Sequence, residues 1–261
     1  MEEIKVKGIV VKSIDYQDSD KIVTIFSPEF GMINARARGV KKAKAKLAFA
    51  VQPFAFVEFL LIQKGDFFTV VNATSIDQFF EITNDFDNYI FMMACMEVCQ
   101  KTIKQNDVHS DLFLLLLSSF KAVCYDKVSA MVVFVKFMLE AMKMLGYALE
   151  LENCACCGND LSLKEFNFSF DYNGLICPKC TNKNDSLELS LGEFAILSKI
   201  DANSMNNLSG LKFLSRADMV SVISLMCKDF RIMTEEEIVT IKQYLWWLSM
   251  IFIIKICYIF H

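Results

Sequence analysis

The sequence has little of what loops, linkers and most active sites are built from. Among 261 residues there are three Pro, nine Gly and two His, while 54% of the residues are apolar. Few Pro and Gly with so many apolar residues exclude a disordered or low-complexity chain. The HExxH, Walker A, GxGxxG and GxSxG patterns of metalloproteases, nucleotide-binding proteins and serine hydrolases are also missing. We therefore expect a globular protein that is not an enzyme.

Long apolar runs that would direct or anchor the chain in a membrane are missing as well. The first residues, MEEIKVKGIVV, include acids and no long apolar core, unlike a secretory signal. The longest uncharged run of the apolar tail extends from Tyr244 to Ile254, whereas a spanning helix needs about 18–20 apolar residues. We interpret the tail as a buried terminal helix, with a membrane anchor or an altered terminus as alternatives. Ten Cys without a signal favour the reducing cytoplasm.

What the sequence does contain is a matched pair of cysteine corners. Cys154 and Cys157 are separated by two residues, nineteen residues follow, and Cys177 and Cys180 repeat the spacing. Two CxxC corners bring four thiolates around one point, as tetrahedral Zn²⁺ requires in ribbons and knuckles. The spacing predicts one structural Zn²⁺ in a knuckle at about residues 152–182.

Other interpretations of these cysteines are a disulfide pair or four buried thiols acting as small apolar side chains. Cys156 lies between two of the predicted ligands, and fourfold coordination leaves no place for it. No His or carboxylate within the motif marks an open coordination position, so the predicted site is closed and structural rather than catalytic.

Before the cysteines, apolar residues alternate with the period of β-strands. Strand-like segments are IKVKGIVVK, KIVTIFS, MINARAR, PFAFVEFLLIQ and DFFTVVNAT, which are rich in β-branched and aromatic residues and are separated by turn residues. Five short antiparallel strands with one long connection favour a small closed barrel, for which the OB-fold is the candidate. Strand alternation places Arg36 and Arg38 of MINARAR on one face.

From about Phe79 the apolar period becomes that of helices. Apolar residues recur at every third and fourth position in residues 85–104, 110–125 and 129–145, and helical patterns return after the cysteines. We therefore predict an α+β, multidomain chain. An N-terminal OB-fold β-barrel would occupy residues 1–80, and an α-helical domain with the inserted zinc knuckle would occupy residues 81–261.

Charge is distributed unevenly between these two parts. Residues 1–80 carry 11 Lys and Arg against nine Asp and Glu, a net charge of +2, and the rest of the chain carries −6. One block free of acids holds six cations: Arg36, Arg38, Lys41, Lys42, Lys44 and Lys46. On a barrel face and its adjoining loop such a block can follow a phosphate backbone, although a solvated charged loop has the same composition.

Base stacking would require exposed rings near this block. The candidates are Phe54, Phe56, Phe67 and Phe68. Strand alternation would place Phe54 and Phe56 on one face, and Phe67 and Phe68 on opposite faces. Each of them alone is more often a core residue.

The order of these features resembles the RecO family of bacterial recombination mediators. The N-terminal carriers are YQDSDKIVTIFSPEFGMINARARGVKKAKAKL, QPFAFVEFLL and KGDFFTVVNAT, and the C-terminal carrier is the cysteine knuckle after LGYALELENC. The family pattern is a polar D-x-D-R/K-I-V start, a P-E-x-G turn, an A-R-G strand end and a basic loop. The matching residues are Asp18, Asp20, Lys21, Ile22, Val23, Pro28, Glu29, Gly31, Ala37, Arg38 and Gly39. The similarity covers about residues 1–230.

The resemblance implies a non-enzymatic protein that binds single- and double-stranded DNA and anneals complementary strands. It implies RecR as a partner, contact with the C-terminal tail of the single-stranded-DNA-binding protein, and promotion of RecA loading onto single strands coated by that protein. A cytoplasmic, nucleoid-associated protein without a membrane partner is expected. By position, the resemblance assigns DNA binding to the six cations of the basic block and metal binding to Cys154, Cys157, Cys177 and Cys180.

Two hypotheses from other functional classes compete with this one. A zinc-stabilised protein-interaction scaffold would use the barrel to bind a protein, and its basic loop would be incidental. A zinc-dependent hydrolase would need an open metal position. Binding of a short single strand distinguishes a mediator from the scaffold, which predicts no binding. Loss of activity without loss of fold in Cys177→Ser would favour the hydrolase.

Overall fold

The computed structural model describes residues 3–64, 67–104, 107–161, 166–181, 186–211 and 215–259, and their side chains except at residues 64, 166 and 251–259. The chain forms two compact units. Unit 1 comprises Met1–Asn84 and Met96–Phe120, and unit 2 comprises Asp85–Cys95 and Lys121–His261. The division into two domains at residue 80 stays a prediction. Residues 96–120 belong to the same compact unit as the barrel.

Unit 1 is built on a closed barrel of five strands. These are β1 (Glu3–Tyr16), β2 (Asp20–Ser27), β3 (Gly31–Ala37), β4 (Phe56–Lys64) and β5 (Phe67–Asp77). Their order around the barrel is β1-β2-β3-β5-β4, and β4 closes it by pairing with β1. The β3–β5 pair is parallel and the other pairs are antiparallel. This is the OB-fold topology, so the predicted fold class is confirmed.

Alternation along the strands sends one set of apolar side chains into the barrel. Val6, Val10, Ile25, Phe59 and Leu61 are at most 1% exposed and belong to one core cluster. Such burial stabilises by about 25 cal/mol per Å² of apolar surface removed from water. Gly8 lies where β1 approaches β2 so closely that a Cβ would come within 2.7 Å of the Phe26 carbonyl oxygen. A larger residue there would force these two strands apart.

Two strands, β1 and β3, end at other residues than the sequence pattern predicted. The first strand continues to Tyr16, through residues that the sequence assigned to a polar turn, because Ile14, Asp15 and Tyr16 pair with β2. The third strand ends at Ala37, so Arg38 begins the connection to β4. That connection contains a 3₁₀-helix at Ala48–Val51.

Helices follow the barrel in unit 1, beginning with the short helix α1 (Phe80–Thr83). The C-terminal part of α2 (Phe86–Thr102) and most of α3 (Ser110–Cys124) belong to this unit. The Phe113 ring packs edge-on against Phe26 at 5.4 Å between centroids, and Phe120 packs against Phe54 at 5.6 Å. These aromatic contacts join the helices to the outside of the barrel.

Unit 2 surrounds the helix α4 (Ala130–Met144), which buries twelve of its fifteen residues. It also contains α5 (Leu191–Asp201), α6 (Arg216–Thr234), α7 (Val239–Ile259) and a 3₁₀-helix at Met205–Gly210. A small antiparallel sheet of β6 (Phe166–Ser169), β7 (Gly174–Ile176) and β8 (Ser186–Leu189) has the order β7-β6-β8. The cysteine corners flank this sheet. The predicted helical domain with an inserted cysteine module is therefore present.

The apolar tail forms the terminal helix α7. Ile241 and Tyr244 are buried, whereas Trp246 is 66% exposed. Burial on one face fits the predicted terminal helix, but the other described face is open. Across the described residues, no helix has the combined length and apolarity needed to cross a bilayer.

Candidate nucleic-acid interface and metal centre

A groove of about 590 Å³ runs over the outer face of the barrel between β1, β2, β3 and β5. Its polar rim includes Lys12, Arg36 and Arg38. Apolar and aromatic side chains, among them Ile14 and Tyr16, form much of the remainder. Because β3 and β5 pair through Ala35 and Phe68, the start of β5 lies directly beside the arginine strand. The groove thus combines cations with rings on one face.

Only one of the four predicted stacking candidates is an open ring in this groove. Phe67 is 77% exposed, and Phe68 is half-buried against the barrel core. Phe54 is 1% exposed and precedes β4, so the expectation that it shares a strand face with Phe56 was wrong. Phe56 packs against Phe113 at 5.9 Å. The turn before β4 places Phe54 with the left-handed φ of 72°, which turns its ring inward.

The basic block divides into partnered and open cations. Arg38, Lys42, Lys44 and Lys46 are exposed, and within the described part of the chain none of them has an ion-pair partner. Arg36 and Lys41 instead pair with acids of the β1–β2 hairpin. Four cations therefore remain available to a phosphate backbone without breaking any contact.

A network of polar contacts holds Arg36 at the rim of the groove. Its Nε donates to Asp20 Oδ2 at 2.7 Å, and Nη2 donates to Gln17 Oε1 at 2.6 Å. The guanidinium also lies over the Tyr16 ring, 5.1 Å from its centroid. Asp20 accepts from the Gly39 backbone N–H as well, at 2.8 Å. These two donors, Gly39 first and Arg36 second, hold the pKa of Asp20 below its usual value.

Lys41 lies at the rim of the barrel, beside the β1–β2 turn. Its backbone N–H donates to the Ser19 carbonyl oxygen at 3.0 Å. Its ammonium donates to Asp15 Oδ2 at 2.7 Å, and Lys21 approaches the other oxygen of the same carboxylate at 3.5 Å. The acids of this hairpin therefore determine where the basic connection begins.

Sequence reasoning missed the contribution of β1 to the groove. Lys12, Ile14 and Tyr16 line it, yet the polar letters DYQDSD indicated a turn rather than a strand. The alternation of Lys12, Ile14 and Tyr16 was the available signal. Without the barrel register, that signal does not show which face is open.

The predicted metal ligands meet at one point in unit 2. The sulfur atoms of Cys154, Cys157, Cys177 and Cys180 all lie within 4.8 Å of one another. Cys157 and Cys177 Sγ are 3.9 Å apart, close to the edge of about 3.8 Å of a tetrahedron with Zn–S bonds of about 2.3 Å. The structure therefore brings all four predicted residues together in a geometry that suits a tetrahedral metal ion.

Local backbone bonds shape both cysteine corners. The Gly158 N–H donates to the Cys154 carbonyl at 2.8 Å, and the Cys180 N–H donates to the Cys177 carbonyl at 2.9 Å. The corners are brought together by the ladder between the 150–155 segment and β7, where Leu175 N–H donates to Glu150 O and Ala155 N–H donates to Leu175 O, both at 2.8 Å. Sequence-distant corners thus converge through a sheet.

The environment of Cys154 favours its thiolate. Burial opposes the charge, but backbone N–H groups of Cys177, Cys157 and Cys156 stabilise it, and the pKa of Cys154 falls to about 6. Hydrogen bonds with Cys157 and Cys177 raise the pKa of Cys180. A bound cation would offset the repulsion among several thiolates in so small a space.

Cys156 is exposed and does not belong to the group of four converging sulfurs, as expected of a residue between ligands. No disulfide occurs among the described cysteines. Four convergent sulfurs leave no open coordination position for a substrate, so the centre suits a structural ion rather than a hydrolytic one.

Comparison with known proteins relates the two halves of the chain to one family. Residues 1–79 match the family model described as Recombination protein O N terminal, and residues 83–217 match Recombination protein O C terminal. The chain is 30% identical over 209 residues to the DNA repair protein RecO of Acetivibrio thermocellus, covering 80% of this chain and 83% of the relative. It is 28% identical over 212 residues to that of Caldicellulosiruptor saccharolyticus, covering 81% and 86%.

Proposed function

Because this chain belongs to the RecO family of DNA repair proteins, we propose that it is a recombination mediator that binds single- and double-stranded DNA on its barrel. The observation that carries the proposal is the groove of about 590 Å³, which is lined by the exposed Phe67 and by Arg38. Arg38 and the three lysines Lys42, Lys44 and Lys46 lack ion-pair partners among the described residues. Arg38 lies on the groove rim, and Lys42, Lys44 and Lys46 extend the positive surface along the connection.

Each part of this surface has its own physical role. Open cations neutralise phosphates of either single strands or duplexes without regard to sequence. An exposed ring and an apolar groove give unpaired bases a stacking platform. Strand annealing needs no bond chemistry, because two strands approach once their phosphates are neutralised. The proposed activity is therefore non-enzymatic.

The partners of the proposed function follow from the family. RecR would act with this protein to promote RecA loading onto single strands coated by the single-stranded-DNA-binding protein, whose C-terminal tail it would contact. The proposed function would take place in the cytoplasm, at the nucleoid.

Zn²⁺ is the proposed occupant of the four-cysteine centre. Cys154, Cys157, Cys177 and Cys180 would hold it as thiolates. When bound, the ion supplies folding free energy to the small sheet rather than chemistry, since all four positions are taken by sulfur.

The test is fluorescence anisotropy of a labelled single strand across a salt series, comparing the wild type with a variant in which Lys42, Lys44 and Lys46 are changed to Ala. If these three lysines neutralise phosphates, the log–log salt slope should become shallower by about 2, at about 0.7 per contact. The matched control changes Lys121, Lys143 and Lys199 to Ala, because these exposed lysines of unit 2 remove the same charge.

The alternatives give different results in this experiment. An equal change of slope in both triple variants would mean that only net charge matters, and a change confined to the control would move the DNA surface to unit 2. A wild type that binds no DNA would overturn the proposal and leave the protein-interaction scaffold as the remaining interpretation.

A further inference from the structure

Two acids of the β1–β2 hairpin hold cations of the basic connection, and their surroundings are very different. Asp20 is 9% exposed in its side chain, and it accepts from Arg36, from the Gly39 backbone N–H and from Ser19. Asp15 is 62% exposed in its side chain, and its ion pairs with described residues are those with the ammonium groups of Lys41 and Lys21. Asp20 is part of the fold, whereas Asp15 is a carboxylate in solvent between two lysines.

An exposed pair of this kind is easily exchanged. Ion pairs in solvent contribute little to stability, because water and salt screen them and the long side chains lose freedom. A DNA phosphate carries the same charge as the Asp15 carboxylate and accepts from the same ammonium groups. Lys41 lies within the basic connection between Arg38 and Lys42, so a backbone that follows the open cations passes its ammonium group.

We propose that Asp15 acts as an internal phosphate mimic, which holds Lys21 and Lys41 in the free protein and is displaced when a DNA phosphate takes its place. Lys21, which lies outside the basic block, thereby becomes a further phosphate ligand. This inference rests on the proposed DNA-binding function and adds to it a competition within the protein. The hydrogen bond from Lys41 keeps the pKa of Asp15 below its usual value, so the carboxylate is charged at neutral pH and the contact is present in the free protein.

The displacement has a consequence for binding. Four cations of the basic block are open in the free protein, and the ammonium groups of Lys21 and Lys41 become available only when phosphates compete successfully with the Asp15 carboxylate. Binding of an isolated anion would gain little from the exchange, whereas a polyanion anchored on the open cations supplies its next phosphate at high local concentration.

The experiment compares Asp15→Asn with Asp18→Asn in the same anisotropy assay. Both substitutions remove one negative charge from the same hairpin, but within the described chain no ion pair involves Asp18. Asp15→Asn should tighten single-strand binding roughly threefold to tenfold, and Asp18→Asn should change it by less than about twofold. Equal effects of the two substitutions in a wild type that binds DNA would overturn the mimic and leave the DNA-binding function intact.

Lys21→Ala and Lys41→Ala provide an independent measurement that does not depend on the Asp15 variant. Each should make the log–log salt slope of the wild type shallower by about 0.7, because displacement brings each lysine to a phosphate. Unchanged slopes in both variants would show that Asp15 keeps the lysines permanently and would overturn the proposal. A wild type without DNA binding would overturn both this proposal and the function on which it rests.

Discussion

Polar side chains cluster both on the barrel face and in the cysteine centre, but the partners of these side chains differ between the two sites. On the barrel, Asp20 and Asp15 partner Arg36 and Lys41, and the remaining cations of the basic block extend into solvent. In the cysteine centre, four sulfur atoms point at one another within 4.8 Å. We therefore expect the barrel to keep its fold whether or not a ligand is bound, and the cysteine centre to need a cation among its thiolates.

This difference predicts whether a substitution at each site affects binding or folding. A core of buried strand residues holds the barrel together, so changing an exposed cation should alter binding and leave folding intact. The sheet of the cysteine module is small, with β7 only three residues long. We therefore expect a module of that size to depend on a bound metal ion for its stability.

The largest expected effect is the loss of a metal ligand. Cys177→Ser should lose the bound Zn²⁺ and unfold the cysteine module, because structural zinc contributes roughly 10–16 kcal/mol in small domains, as much as the whole stability of a typical protein. Zinc content measured by mass spectrometry, together with limited proteolysis of residues 150–190, checks this result.

Cys156→Ser is the matched control for the ligand variant, since it changes a neighbouring exposed thiol outside the group of four. It should retain one zinc and the proteolytic pattern of the wild type. A metal-free Cys177→Ser protein that stays folded would mean that the thiols are only buried apolar groups. A folded variant that has lost a hydrolytic activity would instead favour the hydrolase.

The next effect concerns the ring in the barrel groove. Phe67→Ala should weaken single-strand binding by about 1–3 kcal/mol, the usual contribution of one stacked base, and should leave duplex binding and the salt slope unchanged. Titrations of both DNA forms measure this. Phe80→Ala is the control, because Phe80 is 70% exposed but does not line the groove. Equal losses in the two variants would contradict a stacking role for Phe67.

The smallest expected effect is a pH dependence of stability. It distinguishes Asp20 in the barrel, whose carboxylate has hydrogen-bond partners, from Asp229 in unit 2. Asp229 in α6 is fully buried, and among the described residues neither of its carboxylate oxygens has a hydrogen-bond partner. Burial raises the pKa of Asp229 to about 7, opposite to the lowered pKa of Asp20. Between the unfolded pKa of about 3.9 and this value, only the folded state holds the proton.

Stability should therefore fall as the pH rises through this window and should level off above the folded pKa. From pH 6 to pH 8 the loss amounts to about 1 kcal/mol, because the folded group titrates around the middle of that range. Asp229→Asn keeps the size of the side chain and should remove this part of the pH dependence in urea unfolding. A variant with the same pH dependence as the wild type would show that Asp229 does not titrate between pH 6 and pH 8 in the folded protein.

Much of both sites could be predicted from local patterns. The CxxC spacing identified all four converging sulfurs because each corner is a local turn, and matched spacing predicts convergence whatever the surrounding fold. The strand periods predicted the OB-fold barrel, and the change of period near residue 79 predicted the helices. Which aromatic residues are open could not be predicted, because Phe54 and Phe67 have similar sequence surroundings and differ only in the surfaces that cover them.

By itself, the sequence determined the class of fold, the four converging cysteines and the position of a block of cations, since all three depend on spacing along the chain. Only the tertiary structure decided which cations are free. The β1–β2 hairpin pairs Asp15 with Lys21 across neighbouring strands, and the folded connection after β3 brings Lys41 to the same carboxylate from twenty-six residues away. Electrostatic pairing depends on distances of a few ångströms in space, and such distances are established only when strands far apart in sequence assemble.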